Sequence, residues 1–522
     1  MTIYKEYTVT TKSLDATDSV WNDLLSSSGS TTIPNRRVEV ANERSINPYN
    51  TAYFLTDEEA RDLKHDSRVI EVQDLNSIPL FLSNFQDSDF NKNATSTGAR
   101  GNWGLLRHIK ASNIFGTSTA DPGGTYDYVL DGETVDIVII DSGIQANHPE
   151  FLTPDGLTSR VQQIDWYAAS GFPGTMPTAH YTDYHGHGTH VAGTAAGRNF
   201  GWAKKANIYS LKAQGLQGSS DPNSGIPVAL CMDLVLAWHQ NKGNDRPTVV
   251  NNSWGYGFYW HTNEAKIGYS SNPESTSNYD VVSTSYRGQT FSTTSRDPAR
   301  GQTGSSIGDG TYKFPARVVS IDSDVNLLLD SGVHVINAAG NESTKADVLL
   351  GVDYDNYVLS SGGYTWLYNR GMSPQSRVDK GFNVGSMGIS VVGSLDRKTN
   401  FSNSGPAVNI YAAGDRIMSS VSNISEVGSS PYFANSSFSQ VSISGTSMAS
   451  PQIAGLVALV LQAHPDWTPI QVTKWMLANS EPDLYTTSLD NDYNVTSSIH
   501  GGNNRVAYLP MNGQKNYQMI AS

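Results

Sequence analysis

The hydrophobic period of the chain changes several times in its first 75 residues. Tyr4 to Thr11 alternates apolar and polar side chains as a half-buried strand does, whereas Thr17 to Leu25 brings Val20, Trp21, Leu24 and Leu25 onto one helical face. Val38 to Val40 and Ala52 to Leu55 predict short strands. Thr56-Asp-Glu-Glu59 reads as a capping box opening a helix to His65, and a strand is predicted over Arg68 to Val72. Residues 1–75 are therefore expected to form a small α+β unit. Residues 76–102 are expected to be a linker, since Ser83 to Arg100 is rich in Asn, Ser, Thr, Asp and Gly and has little periodicity.

A different pattern starts at Trp103. Short apolar runs at Val135 to Ile140, Ala206 to Leu211, Val249 to Asn252, Val333 to Ala339 and Ser390 to Val392 alternate with helical periods. Strands buried on both faces read this way, because crossover helices cover a parallel sheet above and below. The expectation is an α/β domain over 103–522 with a mostly parallel central sheet. Two stretches, 256–310 and 345–381, are dominated by Ser, Thr, Tyr, Gly, Asp and Asn and read as surface insertions. No repeat of fixed period is evident.

Composition narrows the function classes. At 522 residues the chain exceeds one ordinary core, and its 35 Lys plus Arg against 49 Asp plus Glu give a net charge of −14. That charge repels phosphate backbones and anionic headgroups, so nucleic acid and membrane surfaces are not expected partners. The longest apolar run, Ile453 to Leu461, is short for a bilayer span, and Met1 to Val9 lacks the apolar region of a secretory signal, so no signal peptide or transmembrane segment is expected and the compartment stays open. The single cysteine, Cys231, lies in an apolar helical pattern and reads as a buried hydrophobe.

Four segments carry chemistry. Val135 to Asp141 is an apolar strand ending in a carboxylate before Ser-Gly; at the carboxyl end of a parallel strand Asp141 faces the ligand crevice. Taken alone, an aspartate that merely ends a strand is the commoner case. His187-Gly-Thr-His190-Val-Ala-Gly-Thr places a histidine at the start of a helix of small residues. His185, His187 and His190 within six residues raise the question of zinc, although no H-E-x-x-H pattern or cysteine cluster accompanies them. Ser442-Ile-Ser-Gly-Thr-Ser447-Met-Ala-Ser-Pro451 puts a serine in the first turn of a strongly apolar helix, where unsatisfied N–H groups favour an oxyanion; Pro451 is read here as a first-turn proline, and helix capping is the plainer role for the serine. Ala338-Ala339-Gly340-Asn341 ends another buried strand in a turn that can aim a carboxamide at the same crevice, or can be a turn and nothing more.

Together these segments resemble the signatures of the subtilisin-like serine proteases, the subtilases: Ile-Ile-Asp141-Ser-Gly-Ile, His187-Gly-Thr-His-Val-Ala-Gly-Thr, Ala-Ala-Gly-Asn341-Glu and Ser-Gly-Thr-Ser447-Met-Ala-Ser-Pro, in the order Asp, His, Ser. The stretches Asn102-Trp-Gly-Leu-Leu-Arg-His and Gly143-Ile-Gln-Ala-Asn-His-Pro-Glu-Phe are most similar to the proteinase K branch. The resemblance implies a three-layer α/β fold, a serine endopeptidase with the triad Asp141, His187 and Ser447, and Asn341 as oxyanion donor. It also implies a substrate groove bordered by Ser253, Trp254, Gly255, Ala338, Ala339 and Gly340, with a protein or peptide as substrate. Thr51-Ala-Tyr-Phe-Leu-Thr-Asp-Glu-Glu-Ala-Arg-Asp-Leu and Arg68-Val-Ile-Glu-Val resemble the inhibitory propeptide of that family, which implies that residues 1–75 act as an intramolecular chaperone and inhibitor and that self-cleavage falls in 76–102. Trp254 stands where many relatives carry a small aliphatic residue, and the insertion at 256 leaves the same strand.

No cofactor is required by this chemistry. Structural calcium is common in the family, but no D-x-[DN]-x-[DN]-G loop is present and no site is assigned. Three other readings compete: a subtilase body kept as a structural subunit with its pro-part attached, a processing protease of narrow specificity, and a zinc hydrolase built on His185, His187 and His190.

Overall fold

The computed structural model describes the chain except residues 1–2, 28–30, 44–46, 75–79, 82–84, 87–101, 114–125, 127, 154, 217, 223, 293–309, 393–394, 487–497 and 511–522. Most of the linker 76–102 thus lies outside the described residues.

The N-terminal unit is a four-stranded antiparallel sheet with strand order Val40–Glu43, Asn50–Leu55, Lys5–Thr11, Val69–Gln73, carrying helices Leu14–Ser26 and Asp57–Leu63. Its own core forms around Val9, Val20, Leu24, Tyr53, Leu55 and Leu63. The second helix opens with the capping box expected from the sequence: Thr56 Oγ1 accepts the Glu59 N–H at 3.2 Å and Glu59 Oε2 accepts the Thr56 N–H at 2.8 Å. The unit sits on the helix Val319–Asp330, where Asn47 Nδ2 and Asn50 Nδ2 donate to Asp324 Oδ1 at 2.6 and 3.2 Å and Gln73 Oε1 accepts the Val319 N–H.

The large unit is built on a twisted sheet in the order Leu395–Lys398, Phe382–Val392, His334–Ala338, Thr248–Asn252, Asp136–Asp141, Asn207–Lys212, Val161–Gln162, with Ile410–Ala413 also paired to Phe382–Val392. All pairings are parallel except that of the edge strand Leu395–Lys398. Successive side chains of a strand point to opposite faces, and the core divides accordingly. Ile137, Ile139 and Val249 pack with helices His187–Ala196 and Thr446–Ala463; Val138, Ile140 and Val250 pack with helices Val228–Asn241 and Val319–Asp330. This is the three-layer α/β arrangement expected. Thr446–Ala463 is long and apolar enough to cross a membrane by composition, yet nearly all of it is buried in this core. Cys231 is buried in the second layer.

The two polar stretches, expected as surface insertions, pair with each other. They join into one further eight-stranded sheet, in the order Thr311–Ala316, Gly255–His261, Lys266–Gly268, Asn278–Tyr286, Tyr357–Ser360, Thr365–Leu367, with Gln289–Ser292 also paired to Asn278–Tyr286 and Leu80–Phe81 to Gly255–His261; Asn278–Tyr286 of the first stretch pairs with Tyr357–Ser360 of the second. Phe258, Trp260, Ile267, Phe314, Trp366 and Tyr368 give it a separate aromatic core. Aromatic residues spaced two apart among Ser and Thr are enough for a sheet with one wet face, and the overall polarity hid them.

Candidate active site

The parallel strands end at one edge of the sheet, and the chemistry collects there. Asp141 closes its strand with a carboxylate that accepts the Ser142 N–H at 2.7 Å and bonds His187 Nδ1 at 2.8 Å; both side chains are buried. Gly143 turns the chain away at φ +113°, and Gly188 is obligatory: a Cβ there would stand 2.1 Å from Gly143 O. The helix carrying His187 therefore presses against the aspartate strand with no side chain between them.

What caps that helix is a residue the sequence reading did not single out. Gly186 offers no side chain at the cap position, and Asp183 supplies the acceptor instead. Its carboxylate takes the Gly186 N–H at 2.7 Å, the Thr189 N–H at 3.0 Å and the Ser142 hydroxyl at 2.9 Å, while Ser142 Oγ accepts the Gly188 N–H at 2.9 Å. An aspartate three residues before a glycine that opens a helix was the available signal.

The three histidines do not converge. His190 Nε2 lies 3.0 Å from Ile417 O and 3.2 Å from Val441 O, and burial lowers its pKa to about 3, so it is a neutral core residue. His185 is half-buried with its ring centroid 6.1 Å from that of His187; burial first, and the neighbouring imidazole second, lower its pKa. Among the described residues no group of three or more His, Cys, Asp or Glu is arranged to hold a metal ion.

Ser447 is the second residue of the helix Thr446–Ala463. Its hydroxyl donates to Ser253 O at 2.8 Å, and His187 Nε2, also buried, has no hydrogen-bond partner among the described residues. The structure thus forms the aspartate–histidine bond and directs the serine hydroxyl to the Ser253 carbonyl. Pro451 departs from expectation. It is the sixth helical residue, so the carbonyl four residues before it, that of Ser447, has no N–H to receive. Ser253 Oγ fills the vacancy by donating to Ser447 O at 3.0 Å. Two reciprocal bonds therefore clasp Ser253 and Ser447.

Asn341 follows Gly340, which sits at φ +97°. Asn341 Oδ1 accepts both the Thr446 N–H at 2.8 Å and the Thr446 hydroxyl at 3.0 Å, and the Gly340 N–H donates to Thr446 Oγ1 at 3.1 Å. The carboxamide is so tethered by its oxygen to the residue preceding Ser447. Ala338 and Ala339 are buried beside it. Trp254 turns its indole into the second core layer and donates Nε1–H to Ile140 O at 2.9 Å, so its side chain braces the aspartate strand. On the same rim Gly255 and Tyr256 pair antiparallel with Phe81 and Leu80, and Ile443 and Ser444 pair antiparallel with Gln86 and Phe85.

The sequence matches the model described as subtilase family, peptidase S8, over residues 132–496. Among curated relatives, it is 28% identical over 381 residues to proteinase R of Parengyodontium album, covering 72% of this chain and 64% of that protein. It is 24% identical over 428 residues to a subtilisin-like protease of Coccidioides posadasii, covering 79% of this chain and 62% of that one. The chain therefore spans somewhat under two thirds of the length of these relatives. Of solved structures, fervidolysin from Fervidobacterium pennivorans, described as a keratinolytic enzyme related to subtilisin, superposes with a TM-score of 0.51 at 15% identity over 97% of this chain and 60% of that one, which places the fold.

Proposed function

Because the chain belongs to the subtilase family, we propose that it is a serine endopeptidase that uses Asp141, His187 and Ser447 and is made as a self-processing zymogen. The observation that carries the reading is the buried Asp141–His187 bond on the sheet edge that also presents Ser447 at a helix N-terminus. With Nδ1–H held by Asp141, His187 offers Nε2 as the base. The Ser447 hydroxyl leaves Ser253 O, gives its proton to Nε2 and attacks the scissile carbonyl. The leaving amine takes that proton back, and water repeats the sequence on the acyl-enzyme. The oxyanion is held by the Asn341 carboxamide and the Ser447 N–H. Substrate backbone pairs with the strand beginning at Gly255, alongside Ser253, Trp254 and the Ala338–Gly340 segment, a mode that reads main chain before side chains.

Residues 1–75 are the inhibitor in this scheme. Leu80–Phe81 pairs with Gly255 and Tyr256, and Phe85–Gln86 with Ile443 and Ser444 just before the Ser447 helix, which supports self-cleavage between Phe81 and Phe85. A second reading, a lasting subunit with the N-terminal unit retained, draws on the Ser447 hydroxyl being turned to Ser253. One experiment separates them. The full chain and Ser447→Ala are followed by intact mass with and without PMSF. Release from wild type alone of a fragment ending between Phe81 and Phe85, blocked by PMSF, supports the zymogen. Two proteins that stay whole, with no inhibitor adduct on wild type, support the retained subunit.

A further inference from the structure

The turn that carries Asn341 is gripped from the second sheet. Lys313 belongs to the strand Thr311–Ala316 of that sheet and pairs in register with Tyr259. Its ammonium lies 3.4 Å from Glu342 Oε1, and Glu342 is the residue after Asn341. The other oxygen of that carboxylate accepts Asn403 Nδ2–H at 2.7 Å. Asn403 encloses the turn: its Nδ2 also donates to Ala339 O at 2.8 Å, and its Oδ1 accepts the Glu342 and Thr344 N–H groups at 3.2 and 2.9 Å. The packing leaves no slack. A Cβ on Gly340 would stand 2.3 Å from Asn403 Nδ2 and 2.5 Å from Glu342 Oε2.

The Glu342 side chain is only 3% exposed. A carboxylate withdrawn that far from water is stable in one place only if it is paired, and here the cation comes from the second sheet. We propose that Lys313 and Glu342 are positioning residues for Asn341, so that the second sheet sets the geometry of the oxyanion site; this rests on the reading of Asn341 as the oxyanion donor. The carboxamide acts on charge that develops only in the transition state. A small displacement of the turn therefore lowers kcat and leaves ground-state binding unchanged.

The test uses the matured enzyme with a chromogenic peptide anilide as substrate and a peptidyl boronic acid as a tetrahedral adduct of Ser447. Lys313→Met and Glu342→Gln are each expected to lower kcat about tenfold with KM within about twofold, to weaken the boronic acid by a similar factor, and Lys313→Arg to stay within about threefold of wild type. Asn341→Ala, run alongside, is expected to lower kcat by about 10²–10³. Glu342→Gln preserves volume and the contact with Asn403, and decides the matter where Lys313→Met does not fold. With Asn341→Ala falling as stated, wild-type kcat in the Glu342 and Lys313 variants, a loss confined to KM, or a Lys313→Arg loss as large as that of Lys313→Met overturns the inference. A wild-type kcat in Asn341→Ala overturns the reading of Asn341 instead.

Discussion

Removing the Ser253 hydroxyl tests the account of how the nucleophile's helix is held. In a regular helix the Ser447 carbonyl would accept the N–H of residue 451, but that residue is proline. The Ser253 hydroxyl replaces the missing donor at 3.0 Å, and both groups are buried. Ser253→Ala leaves the carbonyl buried without that donor, and an orphaned buried acceptor costs about 1–3 kcal/mol. The same change in a Pro451→Ala background is expected to cost less than about 0.5 kcal/mol, because an alanine in place of the proline returns the helical N–H. A double-mutant cycle on residues 253 and 451 therefore predicts a coupling energy of about 1–2 kcal/mol, carried by the Ser253–Ser447 contact. Urea unfolding, followed by tryptophan fluorescence in a Ser447→Ala background that prevents self-digestion, reads each corner. The Ser447 carbonyl is untouched by that background change. Equal costs for Ser253→Ala with proline and with alanine at 451 would refute the argument, since the hydroxyl would then be serving some other partner, such as Ser450 Oγ at 2.8 Å.

Further outcomes follow from other contacts. Asp141→Asn is expected to lower kcat by about 10⁴ with little change in KM, measured on the matured enzyme, because the amide no longer fixes the Nδ1–H tautomer. Gly188→Ala puts a methyl 2.1 Å from Gly143 O and separates the histidine helix from the aspartate strand; little mature enzyme is expected on processing gels, and wild-type yield and activity would contradict the packing described. Lys398 is fully enclosed, donates to Thr399 O and Ser402 O, and has its pKa lowered to about 7 by burial. Because its folded pKa is depressed below the unfolded 10.5, unfolding takes up a proton between those values and stability rises with pH across that window, by on the order of 1 kcal/mol per pH unit. Lys398→Met should flatten that slope in urea titrations at pH 7, 8.5 and 10, and an unchanged slope would rule the group out as its source.

The chain by itself determined the strands and helices of its parallel-sheet core and its family. Buried parallel strands read as unbroken apolar runs, capping boxes declare helix starts, and the glycine-flanked Asp141, His187 and Ser447 segments are local in sequence because each sits at the end of one element. Contacts between elements were decided only in three dimensions. Asp183 as the cap of the His187 helix, Ser253 as the donor that Pro451 makes necessary, and Asn403 around the Asn341 turn each join residues that no local pattern links, since a hydrogen bond made after folding imposes no period on the sequence. The second sheet shows the same limit. Its strands pair 278–286 with 357–360 across the intervening helix and a core strand, and its aromatic core becomes visible only when those segments meet. Local sequence sets which backbone shapes are cheap; tertiary packing sets which buried polar groups must find one another.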